Sequence, residues 1–318
     1  MNKELQKSSL IALRDYLGLK EEETLLIITD EIEREIGYSL YETGKKLCKE
    51  AVFVEMKSRE MNGQEPPQQI AELMKMFDVV VCPTAKSLTH TNARREAVKV
   101  GARVATMPGI KKSTMVRCLS ADAKKVVELT NSVKQALENA KVIRVISKNG
   151  TDVEMNIEGR KILPSTGVLR NKGESGNLPS GEVYLAPVEG STNGIIVFDG
   201  SMAGIGILKN PIKVVVKDGY AEKISGKSEA KKFQKMLDKV GRDARAIAEF
   251  GIGTNYKAKI IGQILEDEKV LGTIHIAFGN NVSMGGNINV PIHLDGLVKK
   301  PTVLIDDVVI MESGVLLI

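Results

Sequence analysis

Two of the three histidines in this chain, His275 and His293, fall in one segment, GTIHIAFGNNVSMGGNINVPIHLDG, Gly272 to Gly296. His293 is followed two positions later by Asp295. On an extended strand, residues two apart face the same side, about 6.6–6.8 Å apart along the backbone. An imidazole and a carboxylate so placed can converge on one ion, or on two neighbouring ions. His275 alternates with Ile274 and Ile276. If those isoleucines enter a core, the imidazole points the other way, towards a cleft. Gly272, Gly279, Gly285 and Gly286 permit turns or close backbone approach around it. Two histidines and an aspartate suffice for a three-ligand metal site. The competing reading is a buried histidine hydrogen-bonded to a carboxylate.

Carboxylates elsewhere strengthen the metal reading. Glu182 opens an apolar strand in GNLPSGEVYLAP, and Glu249 lies among alanines and an isoleucine in ARAIAEFGIGTN. A buried carboxylate without a partner is costly, and a cation would relieve both. The cluster Glu266-Asp267-Glu268 reads instead as a helix end or loop facing solvent. Other motifs carry less. Gly226-Lys227-Ser228 ends like a phosphate loop, but position 221 is Ala221 where the pattern needs glycine, so Ser228 reads as a helix cap. The first strand-to-helix turn, ITDEIEREIG, has no GxGxxG, and after Gly251 and Gly253 position 256 is Tyr256. Dinucleotide binding is disfavoured. His90, just before Thr91 at a helix start, reads as a structural hydrogen-bonding residue, with a weaker reading in which it or Arg94 reaches the cavity.

The elements that must position these groups fall into two halves. Up to residue 141, apolar runs (TLLIIT, AVFVEM, FDVVVCP, ARVATMP) alternate with helical segments, the pattern of a parallel sheet covered on both faces. A long helix over roughly 119–140 closes this half. From residue 142, hairpins turn at Lys148-Asn149-Gly150 and Asp218-Gly219, then a helix over 230–240 and further short strands follow. The expected architecture is an α/β domain, 1–141, Rossmann-like without a dinucleotide motif. An α+β, mostly antiparallel, metal-binding catalytic domain, 142–318, follows it. The net charge of +5 is spread among acidic residues, so nucleic acid is not implied. No apolar run is long enough to span a membrane. Cys48, Cys82 and Cys118 are odd in number and lack ligand spacing, which fits a reducing cytoplasmic setting. Cys82 reads as a buried strand residue rather than a nucleophile.

Taken together, TAKSLTHTNARREAVKVGARVATMPGI, GNLPSGEV, AEFGIGTN, LEDEKVLGTIHIAFG and PIHLDG resemble, in order, the blocks of the M29 aminopeptidases, the aminopeptidase T or thermophilic metalloprotease family. The resemblance implies two divalent ions (zinc, cobalt or manganese) held by Glu182, Glu249, His275, His293 and Asp295. It also implies a homodimer and hydrolysis of N-terminal residues from a peptide substrate by metal-activated water. The family's tyrosine after the first histidine is missing, since Val282 stands about there in NNVSMGGNINV. Two further readings therefore stand beside the peptidase. A branch similar in sequence consists of iron(II) dioxygenases that open dihydroxypyridine rings, for which His275, His293 and Asp295 would form a 2-His-1-carboxylate triad. The third reading is a metal-binding scaffold without activity.

Overall fold

The computed structural model describes residues 2–318. The chain forms two compact units, one running to Lys125 and including Ser165–Ser180, the other comprising Val126–Pro164 and Gly181–Ile318. Residues 165–180 count with the first unit because Ser175–Asn177 is an edge strand of its sheet.

In the first unit five parallel strands run in the order Glu50–Met56, Thr24–Asp30, Val79–Cys82, Arg103–Thr106, Ser175–Asn177. The central strands are continuously apolar because both faces are covered. Leu26, Ile28, Val80, Cys82 and Val104 pack with Ile70 and Met74 of the helix Gln68–Met74, and with Ala93 and Ala97 of the helix Asn92–Lys99. On the other face Gly44 of the helix Arg34–Gly44 lies so close to Leu25 that a Cβ would meet its Cδ2 at 2.3 Å. Burial pushes the Cys82 thiol up to about 12, so it is an inert strand residue, as its apolar surroundings suggest.

The second unit stacks two antiparallel sheets. One has eight strands in the order Tyr220–Ser225, Ile212–Lys217, Asn193–Phe198, Asp152–Asn156, Val142–Ile146, Thr302–Ile305, Val308–Glu312, Val315–Leu316. Its hairpins turn where expected: Gly150 has φ 95°, and Asp218 and Gly219 have φ 48° and 77°. The other sheet contains, in order, Gly206–Ile207, Ser201–Met202, His293–Lys299, Thr273–Gly279, Ile247–Gly253 and Glu182–Leu185. Ile143, Val145, Ile196, Phe198 and Val214 of the first sheet share one core with Val183, Phe250, Ile252, Ile274, Ile276 and Phe278 of the second. Phe233 of the helix Ser228–Asp238 closes that core against Phe278, ring centroids 5.3 Å apart. Ser228 does not cap this helix. The cap position is Lys227, and the Ser228 hydroxyl donates to the Glu229 carboxylate at 2.9 Å. No helix among the described residues is long and apolar enough to cross a membrane.

Candidate metal centre

The period of two that sends Ile274, Ile276 and Phe278 into the core sends His275 to the opposite face of its sheet. Cross-strand register brings four more groups to that face. Gly251 pairs with His275 and with Tyr184, Gly253 with Glu182, Ala277 with both Glu249 and Asp295, and Gly279 with His293. Directly paired residues share a face, so Glu182, Tyr184, Glu249, His275, His293 and Asp295 lie on one side of four adjacent strands. Small residues leave the room. A Cβ on Gly251 would sit 2.1 Å from His275 Nε2, so the imidazole lies directly over that glycine.

One end of this row is a tight cluster. Ligand atoms of Glu249, His293 and Asp295 all lie within 4.8 Å of one another. His293 Nε2 is 3.1 Å from Glu249 Oε2 and 3.4 Å from Asp295 Oδ1. Its Nδ1 lies 2.8 Å from the Asn280 carbonyl, which can only accept, so Nδ1 carries a proton and Nε2 is the atom turned to the carboxylates. Glu249 spans both imidazoles, with its Oε1 3.1 Å from His275 Nε2. His275 Nε2 is also 3.7 Å from Glu182 Oε2. At the other end of the row the Lys269 ammonium, 1% exposed, donates to Glu182 Oε1 at 2.8 Å and also contacts the Glu268 carboxylate.

The electrostatics follow from these contacts. Burial pushes the Glu249 carboxyl up, but hydrogen bonds and charge from His275 and His293 outweigh it and bring it down to about 2. Burial opposes a charge on His275, yet Glu249, Glu182 and Glu268 raise it to about 9. His293 is held well above its usual range against burial, mainly by Asp295 and then Glu249. Burial, reinforced by Glu182 and Asp295 against the pull of Lys269, pushes Glu268 up to about 8. Lys269 is raised because its two carboxylates outweigh the burial. The Tyr184 phenol is raised by burial and by the charges of Glu249 and Glu182.

Without an ion, then, it is protons on imidazoles that balance buried carboxylates. A divalent ion can replace those protons, since each deprotonated Nε2 becomes a lone-pair donor beside a carboxylate. Glu182 Oε2 and His275 Nδ1 are buried without a hydrogen-bond partner, the first facing the same row. The donor set therefore fits a cation of mixed nitrogen and oxygen preference.

The structure brings Glu249, His293 and Asp295 together, sets His275 against Glu249, and gives Glu182 an internal counter-charge. Three parts of the site lie outside the sequence reading. Lys269 is one, although it sits inside the quoted LEDEKVLG. Tyr184 is another, legible as the i+2 partner of Glu182. The third is Gly251, taken above only as part of a failed dinucleotide motif. The acidic run is a correction: Glu266 and Asp267 are buried rather than solvated. Glu266 accepts the Lys259 N–H at 2.9 Å, and Asp267 accepts from Ile261 N, Gly262 N and the Ser201 hydroxyl at 2.7, 2.9 and 2.6 Å. These loop amides would otherwise lack acceptors. In the first unit His90 is exposed beside Thr91, whose hydroxyl accepts the Arg94 N–H as a helix cap. The Arg94 guanidinium donates to the Thr89 carbonyl and the Ser175 hydroxyl.

Solved structures share the fold. The 2,5-dihydroxypyridine dioxygenase of Pseudomonas putida KT2440 superposes with a TM-score of 0.86 at 17% identity, covering 98% of this chain and 96% of that one. AmpT of Thermus thermophilus superposes with a TM-score of 0.73 at 15% identity, covering 99% of each chain. At such identities the likeness is one of fold. No curated protein sequence matches significantly. A sequence profile described as NicX, 2,5-dihydroxypyridine 5,6-dioxygenase, matches residues 19–318. This match overturns the expectation of a metallo-aminopeptidase, a hydrolase with a peptide substrate, and removes the support for its two-ion centre. Both neighbours share this chain's fold, AmpT at the lower TM-score. With residues 19–318 so matched, the chain belongs to the NicX family of 2,5-dihydroxypyridine 5,6-dioxygenases.

Proposed function

We propose that this protein is a mononuclear iron(II) dioxygenase that opens a 2,5-dihydroxypyridine-type ring, its ion held by His275, His293 and Asp295 with Glu249 alongside. The observation that carries this reading is the convergence of His293, Asp295 and Glu249 within 4.8 Å, with His275 Nε2 3.1 Å from Glu249, in a chain matched over nearly its whole length to a ring-opening family. Iron(II), when bound, supplies a redox-active Lewis acid with coordination positions left over for a hydroxylated ring and oxygen.

The chain's own residues do the rest. The Asn280 carbonyl fixes the His293 tautomer and turns Nε2 inward. Gly251 leaves the space over which His275 lies. Glu249, between the imidazoles, supplies negative charge that favours a cation and disfavours a neutral vacancy. Tyr184, held as a neutral phenol on the same face, is a hydrogen-bond donor at the edge of the row. Ile274, Ile276 and Phe278 anchor the sheet from behind, so the donors sit on a rigid surface. A cytoplasmic setting belongs to the same reading, resting on three free cysteines.

The test is oxygen uptake, with loss of the aromatic absorbance of 2,5-dihydroxypyridine, by protein reconstituted anaerobically with iron(II). Stoichiometric oxygen and substrate consumption is expected. Iron-loaded protein that leaves the ring intact sinks the reading.

A further inference from the structure

Lys269 is the least expected residue of the site. A lysine 1% exposed is rare, because desolvating an ammonium is costly unless it is paired and hydrogen-bonded. Here the backbone is built to deliver it. The Lys269 carbonyl accepts the Asn255 N–H at 2.8 Å, and the Lys269 N–H is donated to the Glu266 carbonyl at 3.0 Å. Gly253 has no side chain where this segment crosses the sheet; a Cβ there would lie 2.7 Å from the Lys269 carbonyl carbon and 2.3 Å from the Val270 oxygen. The ammonium then bridges Glu182 and Glu268, with His275 Nε2 on the far side of Glu182 at 3.7 Å. Two carboxylates around one positive charge are the donor types a divalent ion would take.

We propose that the Lys269 ammonium stands where a second divalent cation would otherwise bind, so that Lys269 is the residue that keeps this centre mononuclear. The inference deepens the mononuclear reading above and rests on it. An ammonium offers the carboxylates a permanent counter-charge and no coordination positions, so Glu182 and Glu268 are withdrawn from metal binding. Removing the ammonium returns both carboxylates as a vacant acceptor pair beside the centre.

The test uses the full chain and manganese(II) alone, read by elemental analysis after gel filtration and by electron paramagnetic resonance. Wild type is expected to bind one manganese per chain with the signal of an isolated ion. Lys269→Met is expected to bind two, with the broadened signal of spin-coupled neighbours, and the double variant Lys269→Met/Glu182→Gln to return to one. Two ions in wild type overturn the proposal, as does a folded Lys269→Met that takes only one. If Lys269→Met is insoluble without metal, rescue by manganese at two ions per chain supports the proposal and failure of rescue overturns it. One ion in wild type and two in the variant, without ring opening by the iron-loaded protein, would leave this inference standing and remove the proposed function.

Discussion

Two regions of the molecule bury a carboxylate against cationic partners, and they do so to different ends. In the parallel-sheet unit, Arg103 donates to both oxygens of Glu23 at 2.8 and 2.6 Å, and Glu23 also accepts the Lys20 N–H at 3.0 Å. Burial opposes the Glu23 charge, but the guanidinium outweighs it and holds the carboxyl below its usual value. A guanidinium does not give up its proton, and a fork filled by two parallel hydrogen bonds has no vacancy. In the antiparallel unit, Glu249 meets imidazoles instead. An imidazole can release its proton and present a lone pair. The first counter-charge is permanent and structural; the second can be displaced by an ion. Burial of a carboxylate says little about function until the exchangeability of its partner is known.

Breaking each region separates the two roles, and the effects fall in order. His293→Ala or Asp295→Ala should empty the centre: iron content drops to background and oxygen uptake disappears, while circular dichroism stays that of wild type. Arg103→Met should leave Glu23 buried and uncompensated and lower unfolding free energy in urea by about 3–5 kcal/mol. The protein that remains folded should carry wild-type iron. Gly251→Ala should press on the His275 ring and weaken iron affinity by about 10–100-fold, the scale for disturbing the support of a ligand. Competition with a chelator measures it.

The smallest effect is in pH. In the metal-free protein His275 is raised from 6.5 to about 9. Its stabilising contribution is therefore complete below about pH 6.5 and fades as pH rises through 9. Thermal melts of metal-free protein should show a falling Tm across that interval, and melts of manganese-loaded protein a flat one, since the ion replaces the proton. Manganese affinity should rise over the same interval. The Glu23–Arg103 pair contributes nothing there, so Arg103→Met should keep the slope.

Much of this was legible in the residues. Continuous apolar runs such as TLLIIT dictate a two-sided parallel sheet, and Asp218-Gly219 dictates a tight hairpin. The spacing His293-Leu294-Asp295 and the alternation about His275 place three polar groups on one face before any coordinates are known. Cross-strand pairing was not legible: Glu249 opposite Ala277, and Ala277 opposite Asp295, join segments far apart in the chain. Nor was the burial of Lys269, since a lysine in an acidic run reads as a solvated charge until tertiary packing removes the water. The peptidase assignment failed for a related reason. Ordered blocks around donors carry a fold that serves more than one chemistry, and fold alone does not choose among them.

The pairing of Gly279 with His293 has one more consequence. Between these two positions the chain leaves the sheet and returns, so residues inserted or deleted beyond Asn280, whose carbonyl orients His293, leave the ladder in register. A slip of a single position within Thr273–Gly279 or His293–Lys299 would instead rotate every donor on that strand into the oily interior and bring Ile274 or Leu294 out. Descendants of this chain are thus free to vary the length of the excursion beyond Asn280, while the ladder beneath admits no length change at all.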